Sequence, residues 1–150
     1  MEDNLVYMDS SATLKRYLKE EGTDVIDNLY RQAEKGEVTL GFSVWNIGEV
    51  VGVLDRYLSR ELITNEQFTE SLGLFYGETE KHVRLGSLII EPLGHEVLTD
   101  SWSLLLKHHI YVADAVQLST ALKLQSSTFI SADKQLVQKA SDEGLEVIQL

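Results

Sequence analysis

Residues 111–136 read YVADAVQLSTALKLQSSTFISADKQL, and the reading of this stretch decides the fold. Its first half has helical spacing over about 113–124, with Ala115, Leu118, Ala121 and Leu122 on one apolar face. STFIS, residues 127–131, is short, rich in strand formers and followed by a polar turn, so it predicts a strand. A further helix is predicted over Lys134–Asp142. One residue does not fit a simple core helix: Asp114 lies on the apolar face. An ionised carboxylate in a dry core without a partner costs on the order of several kcal/mol. Either Asp114 sits at a helix start, where backbone N–H groups satisfy it, or a cation stands beside it.

Working outward, the same alternation recurs. Leu5–Met8 predicts a strand, and Ser10 or Ser11 can cap a helix running to about Glu20 and ending at Gly22. Thr23 opens a helix over Val25–Ala33, ended by Gly36, and Val38–Phe42 predicts a second strand. Ser43 caps a helix to about Arg60 whose stripe is Val44, Ile47, Val51, Leu54 and Leu58, followed by a helix over about 65–82. Leu85–Glu91 predicts a strand stopped by Pro92 and Gly94, a helix follows at about 95–108, and Leu145–Leu150 predicts a final strand. Strands alternating with one or two helices imply an α/β fold, a parallel sheet with helices on both faces. Neither a repeat nor a linker interrupts it, so residues 1–150 are expected to form a single domain, with a helical hairpin at 44–82 projecting from it.

Composition narrows the function. The chain has 150 residues, 43% of them hydrophobic, enough for one core. No apolar run approaches the roughly 18 residues of a membrane span. The start, MEDNLVYMDSS, lacks the basic and apolar stretches of a secretion signal, so the expected location is cytoplasmic. The absence of cysteine excludes disulfides and thiolate metal sites. The histidines, His82, His95, His108 and His109, match no zinc spacing; the adjacent pair points about 100° apart on a helix. A net charge of −11 means that any nucleic-acid contact must use a local patch, or that part of the acidity is a metal site.

Open α/β sheets bind ligands beyond the carboxyl ends of their strands. Asp9 follows the first strand, Asp133 stands two residues after strand 127–131, Asp114 opens a helix and faces inward, and Glu49 lies one turn into the helix after strand 38–42. Singly, each Asp reads first as a helix cap and Glu49 as a solvated helix residue. Together they read differently. Trp45 and Val53 flank Glu49, so its helix is apolar on most sides, and Gly48 and Gly52 bracket it at about 1 kcal/mol each relative to Ala. Close approach of a backbone or ligand would offset that cost, and so would tight helix packing. Carboxylates converging on one sheet edge repel one another, and a hard divalent cation removes the conflict. Oxygen-only ligation is the Mg²⁺ or Mn²⁺ pattern, which points to metal-assisted phosphoryl chemistry.

These residues resemble the PIN domain family over nearly the whole chain. YMDSSATLKRY is similar to its opening strand and first acid (Asp9), and SVWNIGEVVGVL to its second motif (Glu49). HHIYVADAVQLSTALKL is similar to the third (Asp114), and STFISADKQL to the fourth, a strand then Ser131, Ala132 and Asp133. The resemblance implies a three-layer α/β/α sandwich with a central five-stranded parallel sheet and the acids in one groove. It also implies a Mg²⁺- or Mn²⁺-dependent ribonuclease that hydrolyses RNA with a metal-activated water. Free-standing proteins of this size look most like VapC-type toxins, usually homodimers restrained by an antitoxin protein.

On this reading Asp9 and Asp114 are the central metal ligands, and Glu49 and Asp133 complete the set directly or through water. Ser10 and Ser131 either orient those carboxylates or cap helices. Lys15, Arg16, Lys19 and Lys134 are candidates for the RNA phosphates, against the alternative of ordinary surface charge. Two other functions compete. One is a phosphatase with an aspartyl nucleophile at Asp9, although the second Asp expected two residues on is Ser11. The other is a non-catalytic module that binds RNA or a protein. A dinucleotide site has no support, because no GxGxxG follows the first strand.

Overall fold

LVYM, residues Leu5–Met8, is buried at every position and becomes the central strand, β1. A strand covered on both faces belongs in the middle of a parallel α/β sheet. The computed structural model describes residues 4–150 and places β1 third in a five-stranded, all-parallel sheet. The other strands are β2 (Thr39–Ser43), β3 (Leu88–Glu91), β4 (Thr128–Ser131) and β5 (Glu146–Gln149), in the spatial order β3-β2-β1-β4-β5. Between them run α1 (Ser10–Leu14), α2 (Thr23–Glu34), α3 (Val44–Ser59), α4 (Asn65–Leu85), α5 (His95–His108), α6 (Val112–Lys123) and α7 (Lys134–Asp142). The chain moves from β1 toward β3 and then returns to the other side of β1. The switch point therefore lies between β1 and β4, which is where an open α/β sheet leaves a crevice.

The main core gathers Tyr7, Met8, Leu40, Phe42, Phe129 and Ile130 from the sheet with Ile26, Tyr30, Leu118, Ala121, Leu136 and Ala140 from the helices. A second cluster, Leu14, Val50, Leu54 and Phe75, fastens the α3–α4 hairpin onto α1. The hairpin thus packs along the sheet-end crevice and forms one of its walls. Its length also differs from expectation, because α4 continues to Leu85. Gly86 stops it there at φ 72, the left-handed conformation that glycine adopts without a side-chain clash. That extension shortens the strand expected at 85–91 to Leu88–Glu91.

The larger correction concerns the helix expected from Ser10 to Glu20. It ends at Leu14, and the chain continues through turns. The Thr23 hydroxyl donates to the Lys15 carbonyl at 2.8 Å and accepts from the Glu20 N–H at 3.0 Å. These side-chain bonds replace the helical ladder and fold the segment back toward α2. Among the described residues no helix is long and apolar enough to cross a membrane.

Candidate active site

The crevice at the switch point is a cleft of about 700 Å³. The β1–α1 turn supplies Asp9, Ser10 and Ser11, α3 supplies Trp45, Gly48, Glu49, Gly52, Val53 and Arg56, α6 supplies Asp114 and Gln117, and the β4–α7 turn supplies Asp133. Four acids from four separate segments line one cavity. Helix starts put three of them there: Asp9 caps α1, Asp133 caps α7, and Asp114 stands in the first turn of α6.

Asp9 is the most enclosed, 5% exposed. One carboxylate oxygen accepts the Ala12 N–H at 2.9 Å and the Ser11 hydroxyl at 2.7 Å, and the other accepts the Ser131 hydroxyl at 2.5 Å. Burial nevertheless pushes its carboxyl up to about 6, with Asp114 adding to the rise against those hydrogen bonds. Asp114 is half-buried, and its pKa is raised first by burial, then by Asp133 and Glu49. No hydrogen bond to its carboxylate is found among the described residues, so position at the helix start does not satisfy it by capping. Glu49 is held by one oxygen, which accepts the Ser10 hydroxyl at 2.6 Å and the Gln117 amide at 2.9 Å. Asp133 is exposed and bonds the N–H groups of Gln135 and Leu136 at 2.9 and 3.2 Å through one oxygen.

Ser10 and Ser131 thus bond the acids rather than cap helices, and Ser131 also accepts the Asp133 N–H at 2.9 Å. Gly48 has nothing within contact distance of a notional Cβ, and Gly52 has only the Arg56 guanidinium at 3.7 Å. Tight helix packing therefore does not explain the pair; both glycines leave the α3 wall of the cleft open.

The acids suit a hard cation in one particular manner. Among the described residues, no three His, Asp or Glu side chains cluster tightly enough to hold an ion alone. An ion taking one or two carboxylates and keeping several waters is the ordinary habit of Mg²⁺. The free oxygens of Glu49, Asp114 and Asp133, beside a buried Asp9 of raised pKa, offer that kind of donor set.

A profile of the PIN domain matches residues 6–142. The chain belongs to the PIN domain family. Its fold is also similar to solved structures. VapC20 of Mycobacterium tuberculosis, a toxin that cleaves the sarcin–ricin loop, matches at TM-score 0.66 and 13% identity, over 97% of this chain and 99% of that one. VapBC2 from Rickettsia felis, bound to a DNA fragment from its promoter, matches at 0.65 and 13%, over 97% and 98%. FitAcB from Neisseria gonorrhoeae matches at 0.63 and 16%, over 96% of each chain. No curated protein sequence matches this one. At these identities the likeness establishes the shared fold of the PIN domain and the VapC structures.

Two of the expected phosphate contacts need correction. Lys15 is buried, with its ammonium 3.2 Å from Glu20. Arg16 points away from the cleft of the PIN domain: it grips Glu78 with two nitrogens at 3.1 and 2.8 Å and Asp27 at 2.7 Å. Neither side chain lines the cleft. Lys19 and Lys134 are exposed, but neither lines the cleft. Among the described residues, Arg56 is the one base that does. It sits two turns past Glu49 on the same stripe of α3, a helical spacing that could have identified it. Gln117 was missed as well. It is one turn past Asp114, 2% exposed, and its place on the inward face of α6 was the available signal.

Proposed function

We infer that this PIN domain is a Mg²⁺- or Mn²⁺-dependent ribonuclease, the toxin of a VapBC-like pair. The observation that carries this reading is the acid cleft itself: Asp9, Glu49, Asp114 and Asp133 share one cavity, burial and then neighbouring acids push the carboxyls of Asp9 and Asp114 up, and the one base lining it among the described residues is Arg56. Asp9 and Asp114 are the central ligands, and Glu49 and Asp133 contribute directly or through water. A divalent cation bound there supplies an acidified water and polarises the scissile phosphate. The protein's part is to hold the acids in place. Ser11, Ser131 and the Ala12 N–H fix Asp9, and Ser10 fixes Glu49. Arg56 binds a neighbouring phosphate, about 10 Å along α3 from Glu49. Hydrolysis leaves a 5′ phosphate. A homodimer and an antitoxin protein partner complete the reading, and the VapBC2 and FitAcB structures among the similar folds support the partner.

The test incubates purified protein with mixed structured RNAs in Mn²⁺, in Mg²⁺ and in EDTA, beside Asp9→Asn. Metal-dependent cleavage by the wild type alone is expected. Equal cleavage by both proteins, or release of phosphate from small monoesters without RNA cleavage, contradicts the assignment.

A further inference from the structure

Gln117 is the buried polar group in this cleft that the reaction outlined above does not use. It stands on α6, whose residues 115–121 are all buried, so an amide there is costly unless every polar atom has a partner. Each has one. Its carbonyl oxygen accepts the hydroxyl of Tyr7, itself fully buried in β1, at 2.5 Å. Its NH₂ group donates to Glu49 at 2.9 Å and to Ser10 at 3.2 Å. A flipped amide would turn its oxygen toward the Glu49 carboxylate, so Tyr7 on one side and Glu49 on the other allow one orientation. The result is a relay from the central strand through α6 to α3. Both the Gln117 amide and the Ser10 hydroxyl fall on the same Glu49 oxygen, Oε1. The second oxygen accepts no hydrogen bond among the described residues.

We propose that Gln117 is a positioning residue: backed by Tyr7, it holds Glu49 by one carboxylate oxygen and reserves the other for the cation. The inference rests on the metal-site reading given above and adds a residue to it. A Gln that only filled space in α6 would not need to face a carboxylate, and an apolar side chain would pack there at lower cost. Because Gln117 and Asp114 are one turn apart on the same helix, the relay also sets the spacing between Asp114 and Glu49.

Mn²⁺ binding, read as loss of the free-ion EPR signal, tests this without RNA or turnover. The proteins are the wild type, Gln117→Met, Glu49→Gln, the double variant and Tyr7→Phe, each checked for fold by circular dichroism. Gln117→Met is expected to weaken Mn²⁺ binding by about 10- to 100-fold, the usual loss when a group orienting a ligand is removed. On the Glu49→Gln background the same change should cost nothing further, because its effect passes through Glu49. Tyr7→Phe is expected to weaken binding by a few-fold, and it carries the test if Gln117→Met does not fold. Wild-type affinity in Gln117→Met, or an equal added loss on the Glu49→Gln background, overturns the assignment; so does an unchanged affinity in Tyr7→Phe if that variant alone folds. A wild type that takes up no Mn²⁺ overturns the metal reading, and this inference with it.

Discussion

Two acid clusters of this molecule contrast: among the described residues, one is given a matching cation by the chain itself and the other is not. Beside α1, Glu78 and Asp27 close on Arg16, which also lies 5.0 Å over the Tyr30 ring, while the Tyr17 hydroxyl donates to Glu78 at 3.0 Å. Hydrogen bonds that Arg16 donates to Glu78 and then to Asp27 hold its pKa above the ordinary value. That cluster ties the α1 turn to α2 and α4, with every charge answered from within the chain. In the cleft, Asp9, Glu49 and Asp133 receive hydroxyls and amides, Asp114 accepts no hydrogen bond and none of the four is paired with a base among the described residues, and burial pushes the pKa values of Asp9 and Asp114 up. The contrast separates two uses of acidity. The carboxylates that join α1 to α2 and α4 are given an arginine; those of the cleft are held by neutral donors or by none and left to be neutralised from outside. The net charge of −11 is in part the sum of these unanswered groups.

The sharpest way to break the comparison is Asp9→Asn. RNA cleavage should fall by on the order of 10³-fold, the scale of removing one preorganised electrostatic group from an active site. In EDTA the same variant should be more stable than the wild type, because an uncompensated buried acid is gone. A variant that loses activity and stability together would mean that Asp9 belongs with the structural acids. The pH dependence follows from the same residue. Its carboxyl is raised to about 6, so the folded protein keeps a proton that the unfolded chain releases near 3.8. The resulting stability is full below about pH 4 and lost as pH rises through about 6, up to about 3 kcal/mol. Urea titrations in EDTA at pH 5 and 7.5 should show the last part of that loss, about 1.4 kcal/mol, in the wild type and not in Asp9→Asn.

Smaller effects refine the contrast. Mn²⁺ at about 100 times its dissociation constant should stabilise the wild type by about 2.7 kcal/mol, read as a rise in Tm that EDTA reverses. Arg16→Met should destabilise by about 1–2 kcal/mol in urea, since the pair is only part-buried, and leave the Mn²⁺ increment intact. Loss of that increment would show that the two clusters are coupled. The smallest change is expected from Arg56→Ala: KM for RNA up a few-fold, kcat nearly unchanged, and a salt slope shallower by about one. An unchanged slope would remove Arg56 from the phosphate contacts.

What could be read from sequence was what local chemistry determines. Helix α5 matches its expected bounds, His95 to His108, and α7 its bounds from Lys134 to Asp142, because apolar spacing and turn residues mark them. The four acids were visible because Asp9, Asp114 and Asp133 follow a strand or open a helix and Glu49 lies one turn into the helix after a strand, so the topology carries them to one edge. Long-range pairing was not visible. Nothing near Arg16 in sequence indicates that Glu78 will meet it, and the shortened α1 depends on Thr23, eight residues after Lys15. Tyr7 and Gln117 lie 110 residues apart, so an amide beside a core face looked like one more helix residue until β1 and α6 were packed together.

The most direct test of the account is a calorimetric titration of Mn²⁺ into the metal-free wild type and into Asp9→Asn with Asp114→Asn. The account predicts saturable binding to the wild type, with protons released on binding near pH 6, and no binding to the double variant. Equal heats for the two proteins would show that the cleft is not where the cation goes, and the division between structural and chemical acids would fall.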